Sequence, residues 1–378
     1  MSAIISSWLR SPFTLANKGA LARIRPDELA AQVLKALIAK HPAISSEIED
    51  VILGCAFPEG EQGMNLARIV SFLAGVPQQA GAVTVNRFCG SSMEAIHMAA
   101  GAIATGRGEL FICGGVESMT RIPMGGYNFL PHPGLIKTYP EAYTSMGITA
   151  ENVARKHGIT REMQEAFALA SQQKAAKAIA SGLLKDEITP ISYKDSTIEA
   201  DGCPRPDSTA EGLATLKPAF LESGSVTAAT SSPLTDGAAF CIVASEAACD
   251  RLGLPKLARI KAMAVSGCAP EVMGLGPIGA SRKALERAGL KASDLDVVEL
   301  NEAFAAQSLP CISELGLNAD KVNIDGGAIA LGHPLGATGT RITAKAASLL
   351  GRTKGKYALA TQCIGGGQGI ATLLEAVK

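Results

Sequence analysis

Short buried strands alternate with helices in this chain, the alternation stops, and then it starts again. That pattern constrains the fold more than any other feature. In residues 1–118, Val51–Ala56 and Ala82–Val85 read as buried strands, and Leu110–Gly115 as a third. Asp27–Ala39 carries Leu29, Val33, Leu34, Leu37 and Ile38 at helical spacing, and Ser91–Ala104 is a helix of small residues with Met93, Ile96, Ala99, Ala100 and Ile103 on one side. After residue 235 the strands Ala238–Ala244, Arg259–Val265 and Val297–Leu300 follow, with helices at Pro277–Ala288 and Thr340–Leu350. Tyr357–Cys363 and Gly369–Leu374 form a last strand pair. Alternation of this kind predicts an α/β protein whose helices cover a largely buried sheet.

The core that such an architecture needs is available. Hydrophobic residues make up 47% of the 378, yet aromatics only 4%, so Ala, Val, Ile and Leu must fill it. Scarce aromatics argue against a stacking platform for nucleic acid. With 35 basic and 35 acidic residues the net charge is zero, which excludes bulk attraction to nucleic acid or an anionic membrane. Nine cysteines without a CxxC pair argue against a disulfide framework and a structural zinc, so no metal is expected and a reducing compartment is. Met1–Arg10 reads as a first strand rather than a signal peptide, and no apolar run is long enough to span a bilayer. A soluble cytoplasmic protein is the expectation.

Between the two runs the texture changes. Arg121–Tyr143 gathers Pro, Gly, Tyr and His without periodicity, and helices are predicted at Thr149–Lys156 and Arg161–Ser181. This stretch reads as an irregular insertion on one face of the sheet, where loops carry function. A faint echo links the flanking halves. Thr84–Val85–Asn86 leads to Cys89 and a small-residue helix, and Lys321–Val322–Asn323 leads to His333 and another. A duplicated α/β unit would bring both loops to one edge of two stacked sheets.

Three residues on loops suggest sulfur chemistry. Cys89, in Asn86-Arg87-Phe88-Cys89-Gly90-Ser91-Ser92, immediately precedes a helix whose positive end favours a thiolate. Cys55, Cys113 and Cys241 lie inside apolar strands and read instead as small hydrophobes. His333 is the one histidine in a glycine-dense setting, and an imidazole titrating near neutrality suits proton transfer with a thiol. Cys363 ends a strand and opens Cys-Ile-Gly-Gly-Gly-Gln-Gly. A glycine loop can also cradle phosphate, but no GxGxxG opens a helix here and no Walker lysine follows. Asn301 and Glu302 sit at the carboxyl end of a strand, where site residues gather in α/β folds; Asn301 could equally be a helix cap.

These segments together resemble the thiolase family. The resemblance rests on Asn86–Ser92, on Asn301-Glu302-Ala303-Phe304-Ala305, on Gly326-Gly327-Ala328-Ile329-Ala330-Leu331-Gly332-His333-Pro334-Leu335-Gly336, and on Cys363–Gly369, which occur in family order. Val226–Ser232 with Asp236–Ala239, and Gly147–Asn152, extend it over essentially the whole chain. It implies a duplicated αβαβα layered fold with two mixed five-stranded sheets and an inserted loop domain. The corresponding division is 1–118 with 235–255, then 119–234 as the coenzyme A-binding loop domain, then 256–378.

The resemblance also implies thiolytic cleavage of a 3-ketoacyl-CoA, with coenzyme A as co-substrate and no permanently bound cofactor. Cys89 would carry the acyl group, His333 would accept its proton, and Cys363 would move protons to acetyl-CoA and from CoA. One oxyanion site would use His333 and a water held by Asn301, the other the N–H groups of Cys89 and Gly365. Arg205, Ser232, Met146, Met273 and Phe304 would contact CoA. Ser145 stands where short-chain biosynthetic members carry histidine, and Pro131–Leu135 resembles members of bacterial fatty-acid oxidation. The expectation is therefore degradation of longer substrates in β-oxidation, by a homodimer that would pair with a hydratase/dehydrogenase subunit. The alternatives are a biosynthetic acetoacetyl-CoA enzyme, a decarboxylating ketoacyl synthase, which would lack the second cysteine, and a non-catalytic acyl-CoA-binding scaffold.

Overall fold

The computed structural model describes residues 2–377. The first half contains β1 (Ala3–Arg10), β2 (Thr14–Leu15), α1 (Pro26–Lys40), β3 (Asp50–Gly54), α2 (Leu66–Ala74), β4 (Gly81–Val85), α3 (Ser91–Ala104) and β5 (Leu110–Ser118). An excursion of helices α4 (Pro133–Thr138), α5 (Met146–His157), α6 (Arg161–Ala180) and α7 (Ala210–Ala214) follows, with a small hairpin of β6 (Ile191–Tyr193) and β7 (Ser196–Ile198). The chain then returns through β8 (Thr235–Ser245) and α8 (Glu246–Leu252). The second half contains β9 (Ala258–Gly267), α9 (Gly276–Ala288), β10 (Val297–Leu300), α10 (Ala305–Leu315), α11 (Ala328–Leu331), α12 (Leu335–Thr353), β11 (Tyr357–Ile364) and β12 (Gln368–Glu375).

The echo in the sequence is a repeat in the topology. The first half orders its strands β4-β3-β5-β8-β1, with β3 parallel to β4 and β5, and with β8 antiparallel to β5 and β1. The second half orders them β10-β11-β12-β9, with β10 parallel to β11, and β12 antiparallel to β11 and β9. Its counterpart of β4 is one parallel bridge, Val298 to Val322. The five-stranded sheet expected there is thus four strands and a bridge. The halves join edge to edge through two residue pairs, Ile4 with Arg259 and Ile5 with Ala258, so one hydrogen-bonded path runs through both.

Packing makes the layers. One apolar cluster joins α1 and α2 to the outer face of the first sheet, and another puts α9 and α10 on the second. Between the sheets lie α3 and α12, whose Met93, Ile96, Ile342 and Leu349 share a core with Ile52, Val243 and Ala360. The small residues let backbones approach. A Cβ on Gly115 of β5 would lie 1.9 Å from the Gly336 carbonyl oxygen of α12, so only glycine fits that crossing. Thr340 N donates to Ser92 Oγ at 2.9 Å and pins the two central helices together.

One sequence expectation fails locally. Ala82–Val85 belongs to β4, which is an edge strand and is half-exposed rather than buried. Its alternation of Val and Thr carries no mark that distinguishes an open edge from a covered one. Arg121–Tyr143 is also less irregular than its composition suggests: His132 Nδ1 accepts the Leu135 N–H at 3.1 Å and caps α4. No helix among the described residues is long and apolar enough to cross a membrane.

Candidate active site

Cys89 sits in the turn that carries the chain from β4 into α3. Phe88 adopts φ +43°, which a β-carbon disfavours, so side chains must hold the turn. Asn86 Oδ1 accepts from Phe88 N at 2.8 Å, Ser91 Oγ accepts from Arg87 N at 2.9 Å, and Ser91 Oγ donates to Phe88 O at 2.6 Å. These short polar side chains replace the ladder bonds that the chain gives up on leaving β4. The result places a buried thiol, 8% exposed, at the start of α3.

The end of β11 closes on this turn from the other half. Gln362 Nε2 donates to the Cys89 carbonyl. The backbone N–H groups of Gly365 and of Cys89 face the Cys89 sulfur. Gly90 and Ile364 pack closely across this seam: a Cβ on Gly90 would lie 2.6 Å from Ile364 Cδ1, which would have to shift. Arg87 Nη1 donates to Gln368 Oε1 at 3.0 Å, a second tie between the segments. Cys363 is 1% exposed and packs against Met146, Met273 and Phe304.

His333 enters from the loop before α12 and is 4% exposed. Its main-chain N–H donates to Thr235 Oγ1 at 3.0 Å. Nδ1 lies 2.6 Å from Thr338 Oγ1, whose own proton goes to Pro334 O at 3.0 Å. Thr338 therefore receives the Nδ1 proton, and Nε2 is left as the bare nitrogen. It faces Asn301 Nδ2 at 3.3 Å. Asn301 is fully buried, and its Oδ1 has no partner in the protein, so it is an open acceptor beside the imidazole.

Burial sets the resting protonation states. It drives the Cys89 thiol up to about 11, although the Gly365 and Cys89 N–H groups pull the other way. Burial also drives Cys363 well above the ordinary thiol value, with the neighbouring Cys89 adding to the shift. Burial lowers His333 to about 3, helped by the positive charge of Arg341. The resting set is two neutral thiols and a neutral imidazole, which can exchange protons without first binding one from solvent.

The remaining expected residues divide into two groups. Met146, at the start of α5, Met273 and Phe304 form an apolar wall at Cys363, and the Phe220 ring meets Phe304 edge-on at 6.0 Å. Ser232 N donates to Ala303 O at 2.9 Å, and Ser231 bridges Phe304, so this strip lies along the same wall. Further out, a cleft of about 220 Å³ is lined by Arg205, Gln172, Leu213, Ser231, Pro233 and Ile329. The Arg205 side chain is exposed, and its main-chain N–H donates to Gln172 Oε1 at 2.8 Å. Ser231 thus lines the cleft and bridges Phe304, which packs in the cluster of Cys363.

Two buried carboxylates were missed by the sequence reading or given no role there. Glu302 accepts from Ser171 Oγ at 2.6 Å, Asn323 Nδ2 at 2.8 Å and Ile329 N at 3.2 Å, which ties α6 to the loop that leads to His333. Glu117, at the end of β5, accepts from Ala56 N at 2.8 Å, Gly336 N at 2.9 Å and Gln62 Nε2 at 2.8 Å. The only sequence signal for Glu117 was a charge at the end of an otherwise apolar strand. Among the described residues, no group of three or more His, Cys, Asp or Glu side chains is placed to hold a metal ion.

A duplicated layered fold in which the Cys89 turn of one half meets the Cys363 strand end of the other fits a thiolase, and the chain belongs to that family. The thiolase N-terminal domain model matches residues 3–247 and the C-terminal domain model residues 254–376. Among curated relatives, proteins named 3-ketoacyl-CoA thiolase from Shewanella frigidimarina and Shewanella oneidensis are each 49% identical over 386 aligned positions, covering 99% of this chain and 99% of theirs. A 3-ketoacyl-CoA thiolase from Shewanella loihica is 49% identical over 384 positions, with the same coverage. The chain is an acyltransferase of this family.

Proposed function

We propose that this enzyme cleaves 3-ketoacyl-CoA with coenzyme A, giving acetyl-CoA and an acyl-CoA two carbons shorter, as a step of fatty-acid β-oxidation. The reading is supported most directly by the convergence of the Cys89 turn and the Cys363 strand end, where Gln362 holds the Cys89 carbonyl and the Gly365 N–H faces its sulfur. The names of the relatives at 49% identity support the substrate class.

The proton inventory closes over two half-reactions. Cys89 Sγ attacks the 3-keto carbon while its proton passes to His333 Nε2. The bond between C2 and C3 breaks, its electron pair becomes the acetyl-CoA enolate, and Cys363 protonates C2. Incoming CoA then gives its thiol proton to the Cys363 thiolate and attacks the Cys89 thioester. Cys89 departs and regains its proton from His333. Negative charge on the thioester oxygen of the acetyl-CoA enolate is met by His333 with Asn301, and negative charge on the oxygen of the attacked 3-keto or acyl carbonyl by the N–H groups of Cys89 and Gly365. Each such donor contributes roughly 3–4 kcal/mol to the transition state.

Residues 119–234 are proposed to carry CoA. Its pantetheine arm would run past Ser232 along Met146, Met273 and Phe304, and its phosphorylated end would lie toward Arg205 at the cleft. The partner for the open edge is proposed to be a second copy. Edge strand β4 is half-exposed, and the neighbouring α2 leaves Phe72 50% and Leu73 51% exposed, the kind of surface a homodimer would cover. Association with a hydratase/dehydrogenase subunit and a cytoplasmic location belong to the same reading. Nine unpaired cysteines fit a reducing compartment.

A thiolysis assay across 3-ketoacyl-CoA chain lengths tests the substrate. Higher kcat/KM for chains beyond four carbons is expected. A strong preference for acetoacetyl-CoA would establish the biosynthetic alternative instead.

A further inference from the structure

Glu117 is a carboxylate without a cation. It is fully buried. One oxygen, Oε2, accepts from Ala56 N at 2.8 Å and from Gly336 N at 2.9 Å. The other, Oε1, accepts from Gln62 Nε2 at 2.8 Å and from Phe57 N at 3.3 Å, and the Cys55 thiol lies 3.7 Å away. No ion pair to Glu117 occurs among the described residues. Burial raises its pKa, and these same N–H donors oppose the rise.

The donors matter for what they belong to. Ala56 and Phe57 follow β3, and both pack in the apolar cluster that contains Cys89. The Phe57 ring also meets Phe88, the residue before Cys89, at 5.9 Å. Gly336 is the second residue of α12, three positions after His333. Leu335, beside it, belongs to the Cys89 cluster as well. At this crossing the backbones of β5 and α12 nearly touch, since a Cβ on Gly336 would lie 2.5 Å from Val116 O. A single oxygen of Glu117 therefore holds the wall behind the nucleophile and the start of the helix behind the base. Ala56 and Gly336 lie in different halves of the molecule, 280 residues apart in sequence, and share this one acceptor oxygen.

We infer that Glu117 is a positioning residue for acyl transfer: by bridging Ala56 and Gly336 through one carboxylate oxygen, it fixes the separation of the Cys89 sulfur and the His333 imidazole. The inference rests on the reaction proposed above. A second consequence follows from charge. The carboxylate opposes ionisation of Cys89, so it favours a thiol that loses its proton only when substrate is attacked.

Two variants separate geometry from charge. Glu117→Gln removes the charge and turns an N–H₂ group toward N–H donors on one side. Glu117→Asp keeps the charge but shortens the side chain by a methylene, so one oxygen no longer spans Ala56 and Gly336. Thermal unfolding identifies folded protein. Thiolysis gives kcat and KM, and the rate of Cys89 alkylation by iodoacetamide is measured against pH.

A displacement of about 1 Å at reacting groups costs on the order of 100-fold in rate. Both variants are therefore expected to lose roughly 10- to 100-fold in kcat, with KM changed less than about threefold. Glu117→Gln is expected to shift the alkylation profile to lower pH, and Glu117→Asp to leave it in place. If Glu117→Gln does not fold, Glu117→Asp alone decides. Folded Glu117→Asp with wild-type kcat would overturn the inference, as would Glu117→Gln with wild-type kcat and an unmoved alkylation profile. An inactive wild-type enzyme would instead defeat the proposed reaction and is recognised separately, because alkylation of Cys89 does not depend on it.

Discussion

Cys89 and Cys363 are both buried thiols, yet the structure surrounds them differently. Cys89 stands at the start of a 14-residue helix, with two N–H groups facing its sulfur. Cys363 lies at the end of a strand against Met146, Met273 and Phe304, and burial and the neighbouring Cys89 both oppose its ionisation. A thiol with converging donors can be stabilised as charge develops on it or on a carbonyl beside it. A thiol in an apolar wall stays protonated at rest, so it has a proton to give to a forming carbanion, which is a far stronger base than the thiolate left behind. The same residue type serves as nucleophile or as acid according to its surroundings.

Replacing each cysteine in turn gives the sharpest contrast. Cys89→Ala is expected to lower thiolysis by at least about a thousandfold and to abolish the acyl adduct, as for other covalent nucleophiles. Cys363→Ala is expected to lose turnover by roughly a hundred- to ten-thousandfold, the range for general acid–base groups, while Cys89 stays open to alkylation. Equal loss of Cys89 alkylation in both variants would erase the distinction between them.

The donor set should give the next largest effect. Asn301→Ala leaves His333 Nε2 without its neighbour at 3.3 Å, and kcat is expected to fall by about 100- to 1000-fold. Gly90→Ala tests the seam between the two cysteine segments. The new methyl meets Ile364 Cδ1 at 2.6 Å, so a loss of about 1–3 kcal/mol in unfolding free energy is expected, along with reduced kcat. Chemical denaturation with parallel assays checks both.

Acid provides the smallest and most gradual test. His333 has a pKa of about 3 in the fold against 6.5 as its ordinary value, so between those limits the unfolded chain binds more protons. Stability from this residue is full above about pH 6.5 and is lost as pH falls toward 3, at about 1.4 kcal/mol per pH unit. The melting temperature should therefore drop between pH 6.5 and 5 in wild type and drop less in His333→Asn. The same shift predicts no acid limb near pH 6.5 in kcat/KM, because His333 remains an unprotonated base there.

The parts of the site that the sequence disclosed are those with local chemistry. Cys89 was legible from a strand-to-helix junction rich in Gly and Ser, and His333 from its glycines. The helices α1, α3, α9 and α12 were legible from apolar spacing, since one buried face repeats with the helical period. The family motifs, rather than spacing, linked Cys363 and Asn301 to them. Long-range partners left no local trace. Glu117 meets Gly336 across 219 positions, and Gln362 meets the Cys89 carbonyl across 273. The openness of β4 was equally hidden, because Gly81–Val85 has the composition of an interior strand and its exposure depends on what lies beside it. In the second half the matching edge shrank to Val322, which no period in the sequence announced.

The most direct test is mass spectrometry of the protein after brief exposure to a 3-ketoacyl-CoA without free CoA. An acyl group two carbons shorter than the substrate, bound as a thioester at Cys89 and discharged when CoA is added, is the expected result. Acylation at Cys363 instead, or turnover with no adduct on Cys89 at any time, would contradict the division of labour between the two thiols.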